Sequence, residues 1–339
     1  MSDRSSGSRR TAGPRRGVPD LARLRALNPA ALVRSAGFPV TSAPTPSSVE
    51  PLPGPPLGDR YESSWARRPL ARATRVATQE TLGRAVTTAL CAPQVVNRDR
   101  IDQLEGPAVF VANHHSHLDT GVVTGALPRP WRHELVVAAA ADYFFDTPGR
   151  AAAAAWFWGA VPMERKKVSR RSALAAAELI DEGWSLLVFP EGGRSPDGWG
   201  QEHKGGAAYL AVRCDVPVVP IHIHGTDRVL PKGSSMPRPG RVVVNFGPPL
   251  THGDLDARRF ASRIEGTLEL LADETTSDWY SARLAATRGE SPGLRGPDID
   301  SWRRDWLLER RRPAQQGAAS PGGSAQRTWR DRARGNRPW

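Results

Sequence analysis

The sequence predicts an α/β fold: a mainly parallel or mixed sheet flanked by helices, with an N-terminal amphipathic helical segment and disordered tails. Three observations carry this reading. Between residues 107 and 272, short apolar runs alternate with alanine-rich stretches, the rhythm of strands joined by crossover helices. The runs, such as Pro107 to Ala112, lack a polar residue at every second place, as expected of strands buried on both faces. The 31 prolines and 32 glycines of the 339-residue chain are spread unevenly, so one large domain with loose flanks fits better than several domains.

Taken in order, residues 1–60 form an Arg/Pro/Ser-rich region in which the run from Pro39 to Pro56 excludes helix and central strand. Leu21, Leu24, Leu27, Leu32 and Val33 suggest at most a short helix broken at Pro29. The domain proper spans 61–285. It opens with a helical segment, Ser63 to Leu90, where Trp65, Val76, Leu82, Val86 and Leu90 recur at mostly helical intervals between Arg67, Arg68, Arg72, Arg75 and Arg84. Such a basic amphipathic helix either packs on the domain with a solvated face or docks on a membrane surface. Candidate strands follow at 107–112, 134–140, 185–190, 217–223 and 241–247, and candidate helices at 119–126, 142–158, 169–182, 203–213 and 254–272. Ser169 suits an N-cap and Gly183 a stop for the third of these helices. The cluster Trp156, Phe157 and Trp158 reads as core or as an interfacial anchor. Residues 286–339 form an Arg/Gly/Pro-rich tail, where Trp302, Trp306 and Leu307 could dock a short helix.

Composition removes several classes of function. The two cysteines, Cys91 and Cys214, lack the spacing of a zinc or redox pair and fit a reducing cytoplasm. Met1 to Arg16 has no apolar signal core, and the nearly uncharged stretch Ala151 to Met163 is too short to span a bilayer. The net charge of +12 belongs to the flanks: residues 1–60, 61–100 and 288–339 carry +5, +4 and +6, while 101–287 carries −3. The core is therefore no nucleic-acid binder, and any contact with an anionic surface falls to the flanks or to the basic helix.

The chemistry centres on Asn113-His-His-Ser-His-Leu-Asp119, directly after the first predicted strand of the core. His114 and Asp119 can form a base and its orienting carboxylate, provided the histidine lies in the turn and the aspartate at the start of the next helix. On one regular helix they would diverge by roughly 140°. His115, His117 and Asp119 can alternatively be read as a first metal-ligand cluster, needing partners among His203, His222, His224 and His252. A third possibility is that the histidines merely fill a turn. Downstream, Gly159-Ala-Val-Pro-Met-Glu-Arg165 ends in an arginine, and Phe189-Pro-Glu-Gly-Gly-Arg-Ser195 closes a strand with a glycine turn beside the forked cation of Arg194. Two arginines and open amides suit a phosphate monoester. Val216-Pro-Val-Val-Pro-Ile221 suggests an edge strand or an apolar wall.

In order and spacing these four blocks closely resemble those of the glycerophospholipid acyltransferase family, the PlsC-like 1-acylglycerol-3-phosphate acyltransferase group, over about residues 80–272. His203-Lys204-Gly205-Gly206-Ala207, His224-Gly225-Thr226 and Phe246-Gly247-Pro248-Pro249-Leu250 resemble further family features, while Pro162, Met163 and His203 depart from common family residues. The resemblance implies that His114 and Asp119 are a general-base dyad and that Arg165, Glu191, Gly192 and Arg194 hold the phosphate and glycerol end of the acceptor. It further implies acyl transfer to lysophosphatidic acid, or to another lysophospholipid or lipid acceptor, from acyl-CoA or acyl carrier protein. The expectation is no resident cofactor or metal, no nucleic acid partner, and a cytoplasmic enzyme peripheral on the inner face of the cell membrane. A metal-dependent hydrolase and a non-catalytic membrane adaptor are the alternatives from other classes.

Overall fold

The computed structural model describes residues 58–164, 170–195 and 198–294. Arg165, the Ser169 cap, the Pro39–Pro56 run, the leucines before it and the tail tryptophans lie outside the described residues.

Seven strands form one sheet in the order β1-β7-β6-β2-β5-β3-β4. They are β1 (Gln94–Val96), β2 (Val109–Ala112), β3 (Leu135–Ala140), β4 (Ala160–Met163), β5 (Ser185–Val188), β6 (Val218–His224) and β7 (Val243–Phe246). Neighbours run parallel except β6 and β7. The mixed sheet predicted from the apolar runs is therefore present, with β2 flanked by β5 and β6 at its centre.

Alternate residues of β2 feed opposite layers, which explains its unbroken apolar sequence. Val109 and Val111 pack against Leu179 and Ile180 of α7 (Arg170–Asp181), Leu210 of α8 (Gly206–Cys214) and Phe260 and Leu268 of α10 (Ala257–Thr276). Phe110 and Ala112 face Val122 and Val123 of α3 (Asp119–Ala126) and Cys91 at the end of α2 (Arg84–Cys91). A third cluster joins Tyr61 and Phe145 to the alanines of α6 (Pro148–Trp158). The remaining helices are α1 (Pro69–Thr78), α4 (Arg129–His133), α5 (Ala141–Phe144), α9 (Thr226–Val229) and α11 (Trp279–Arg288).

Several expectations change. The helix read over 142–158 is two helices, because Pro148 cannot donate a backbone hydrogen bond and instead takes the first turn of α6. The last predicted domain residue, 285, falls inside α11, and Leu294 beyond it is still buried. β6 is interior rather than an edge. It tolerates Pro220 because this residue's carbonyl accepts from Gly247 N–H at 2.8 Å, just past the end of β7, so its missing donor also falls beyond that ladder. The N-terminal helical segment is interrupted by a π-turn, Gln79–Gly83, between α1 and α2. Its faces differ from the predicted ones. Leu82 is 62 % exposed, whereas Arg75 is 2 % exposed and donates to the carbonyl of Ala66. Burial, with Arg72 and Arg67 nearby, pushes the Arg75 guanidinium down to about 10.

His222 of β6 is buried, with Nδ1 2.9 Å from Thr275 Oγ1 on α10. Burial first, then the neighbouring His115 and His224, push it down to about 3 from the ordinary 6.5. As pH falls the unfolded chain therefore takes up the proton before the folded one does. Stability present above 6.5 should decline between 6.5 and about 3, by up to about 1.4 kcal/mol per pH unit. Urea titrations across that window should show a shallower decline in His222→Gln than in the parent; equal slopes would assign the acid sensitivity elsewhere.

Candidate active site

The parallel strands β2 and β5 are neighbours, so the turns leaving their C-terminal ends meet above the sheet. This is the position where open α/β sheets hold ligands. Strand β2 ends at Ala112, and Asn113 fastens the outgoing chain sideways. Its Oδ1 accepts from Ile223 N–H at 2.7 Å and its Nδ2 donates to the Ile223 carbonyl at 2.8 Å, so one side-chain amide extends the sheet from β2 to β6. The following turn returns at Asp119, the first residue of α3. His114 lies in the turn and Asp119 at the helix start, the arrangement that a five-residue separation requires.

His114 Nδ1 is 2.9 Å from Asp119 Oδ2. The same oxygen accepts the backbone N–H groups of His115 at 2.6 Å and Ser116 at 2.8 Å. Three donors thus converge on a carboxylate that is fully buried, at a helix N-terminus whose dipole favours negative charge. Cys91 of α2 lies close by: burial first, then the charge of Asp119, push its thiol up to about 11. The His114 side chain is 16 % exposed, and with Nδ1 engaged its Nε2 is the nitrogen left for a reacting group.

The second turn grips the first. Ser195 N–H donates to the His114 carbonyl at 2.7 Å, and Glu191 Oε1 accepts the His114 N–H at 2.8 Å. Glu191 Oε2 accepts the Gln201 N–H at 3.1 Å. Glu191 is 5 % exposed and both its oxygens accept backbone amides, so it braces the turn. Phe189 lies on the imidazole of His114, ring centroids 4.2 Å apart and planes 23° from parallel. Nothing in the sequence spacing signals this contact.

Gly192 has φ +68°, and a Cβ there would sit 2.5 Å from Lys204 Nζ, so glycine is what lets the ammonium lie over the turn. Lys204 lies ahead of α8, not at its first turn, and its N–H donates to the Pro190 carbonyl. Arg194 follows Gly193, and its carbonyl accepts from Lys232 Nζ at 2.9 Å. Its guanidinium is near enough to His117 to help lower that imidazole. The structure therefore brings His114, Asp119, Glu191, Gly192 and Arg194 together. The histidines proposed as metal ligands do not converge on one point. His115, His222 and His224 are neighbours, but His115 is buried beside Asn113 and His222 Nδ1 is taken by Thr275, while His117 stacks on Tyr143 and His252 pairs with Asp215 ahead of β6, at the opposite end of the sheet. Among the described residues no three His, Cys, Asp or Glu side chains converge as a metal site.

A family model described as Acyltransferase matches residues 92–224. Over 155 residues the chain is 33 % identical to a 1-acyl-sn-glycerol-3-phosphate acyltransferase of Chlamydomonas reinhardtii, covering 44 % of each chain. It is 28 % identical over 179 residues to 1-acyl-sn-glycerol-3-phosphate acyltransferase alpha of Mus musculus, covering 51 % of this chain and 61 % of that one. The crystal structure of the 1-acyl-sn-glycerophosphate acyltransferase PlsC of Thermotoga maritima superposes with a TM-score of 0.51 at 25 % identity, covering 62 % of this chain and 84 % of that one. The chain thus spans less than half the length of the algal relative.

The stack of Phe189 on His114 should contribute about 0.5–1.5 kcal/mol toward holding the ring plane. Phe189→Leu, which keeps the apolar volume and loses the flat face, should lower turnover several-fold while Phe189→Tyr retains it. Equal turnover in all three proteins would show that the Asp119 bond alone orients the ring.

Proposed function

Because residues 92–224 are an acyltransferase domain of the PlsC-like glycerophospholipid acyltransferase family, we propose that the protein moves a fatty acyl group from an acyl thioester to the free hydroxyl of 1-acylglycerol-3-phosphate, giving phosphatidic acid. The observation that carries this reading is the 2.9 Å pair of His114 and Asp119, opening beside the Gly192–Arg194 turn. A base and an anion-binding turn side by side match an acceptor whose reacting hydroxyl and phosphate belong to one glycerol unit.

With Nδ1 held by Asp119, His114 Nε2 takes the proton of the acceptor hydroxyl as its oxygen attacks the thioester carbonyl carbon. The tetrahedral intermediate collapses with cleavage of the C–S bond, and the imidazolium returns its proton to the leaving thiolate. No acyl-enzyme forms in this scheme, and the buried charge of Asp119 stabilises the imidazolium in between. Arg194 forks the phosphate, with the turn amides and Lys204 alongside. The donor is acyl-CoA or acyl carrier protein, and no step draws on a resident metal or cofactor.

Two further features support a lipid substrate. A small, mostly apolar crevice, lined in part by Gly83, Thr87, Gly121, Gly125, Phe157 and Trp158, lies between the N-terminal helices, α3 and α6. Leu70, Leu82 and Val86 are exposed on α1, the π-turn and α2, with Arg68 and Arg84 nearby, a composition suited to peripheral contact with an anionic membrane, here assigned to the inner face of the cell membrane. Among the described residues no helix is long and apolar enough to cross a membrane.

Purified protein supplied with lysophosphatidic acid and either long-chain acyl-CoA or acyl carrier protein should yield phosphatidic acid by mass spectrometry; absence of product with both donors would sink the reading. His114→Ala should lose about 10²–10⁴ in turnover with an unchanged melting profile. Arg194→Lys, replacing a fork with a point charge, should chiefly raise the acceptor KM, and an unchanged acceptor KM would remove Arg194 from the phosphate site.

A further inference from the structure

His117 and Tyr143 take no part in the dyad, yet both stand at its mouth. His117 is two residues from Asp119. Tyr143 lies on α5, directly after β3, whose C-terminal end borders that of β5. Tyr143 Oη is 3.3 Å from His117 Nε2, and the two rings stack with centroids 5.8 Å apart and planes 22° from parallel. Phe144 meets both edge-on, at 6.3 Å from His117 and 4.9 Å from Tyr143. A solvent-facing pair would ordinarily wander. This one is held in a three-ring cluster, with Tyr143 still 42 % exposed. Burial first, then the charges of Arg194 and His114, push the His117 imidazole down to about 4, so at neutral pH it stands uncharged beside the cationic turn.

We propose, building on acyl transfer to a phosphorylated acceptor, that His117, oriented by Tyr143, donates a hydrogen bond to the outermost oxygen of the acceptor's phosphate and selects phosphomonoesters over phosphodiesters. In this assignment the Tyr143 hydroxyl, 3.3 Å from Nε2, is the donor, which leaves the ring proton on Nδ1 for the phosphate oxygen. Arg194 engages two terminal oxygens of the phosphate in a fork. A monoester has a third terminal oxygen for His117. A diester has an ester oxygen there instead, and its head group runs into the ring cluster. A site built to hydrogen-bond a group discriminates against analogues that lack it far more strongly than an apolar wall does.

Steady-state kinetics on the full chain with lysophosphatidic acid and lysophosphatidylethanolamine test the assignment. The parent should strongly prefer the monoester. In His117→Ala the KM for lysophosphatidic acid should rise about ten-fold, with turnover and donor KM unchanged, so that the monoester-to-diester ratio of kcat/KM falls about ten-fold. Tyr143→Phe, which keeps the rings and removes the hydroxyl, should move the ratio in the same direction by a smaller factor. A parent-like ratio in His117→Ala overturns the proposal, and a parent-like ratio in Tyr143→Phe alone overturns the oriented-donor geometry. A parent that acylates neither acceptor refutes the acyl-transfer reading itself, and this assignment with it.

Discussion

The burial of one negative charge organises this end of the molecule. Asp119 is fully enclosed, and a bare carboxylate in such a place would cost far more than the fold can spare. It is tolerable because two backbone amides and an imidazole converge on Oδ2 at a helix N-terminus, while Oδ1 is buried without a hydrogen-bond partner among the described residues. Those donors exist only if the chain leaves β2 in one particular turn. The requirement to satisfy Asp119 therefore dictates the path from Asn113 to Leu118, and that path sets where His114 stands. The carboxylate that holds the His114 ring is also the group that shapes its loop.

A second layer of polar contacts fixes that turn against its neighbours. Asn113 ties it to β6, and Glu191 and Ser195 tie it to the turn after β5. Each such bond is worth only about 0.5–1.5 kcal/mol net, a small part of what the apolar layers on either side of the sheet supply. Their importance lies in direction. An apolar core accepts small shifts of a strand, whereas an amide bonded through both its oxygen and its nitrogen accepts very few. The hydrophobic layers make the sheet stable, and the polar ties give its C-terminal end a defined geometry.

How much of this could be read in the sequence depended on the range of the signal. The strands at the sheet centre were legible because burial on both faces leaves an unbroken apolar run. β1 and β4 were not: β1 has three residues, two of them exposed, and β4 contains Pro162 and is buried only over its first half. The meeting of His114 and Asp119 was legible because turn and helix start are local events, and the turn at Gly192 because glycine marks a positive-φ position. The bracing role of Glu191 was not, since it reaches a backbone amide 77 residues earlier, and neither was the stack of Phe189 on His114. Burial of Arg75 on a helix that reads as basic and solvated shows the same limit: helical spacing gives a face, and only packing says which face is covered.

The Gly200 N–H donates to the Leu294 carbonyl at 2.7 Å, and a Cβ at Gly200 would press on Leu294, 3.0 Å from its Cβ. Gly200 precedes Gln201, whose N–H is bound by the same Glu191 that holds His114. The turn after β5 is thus backed by a segment about a hundred residues later in the chain, well past the stretch that matches the family model. A change near Leu294 can therefore reach His114 without touching it, through Gly200, Gln201 and Glu191.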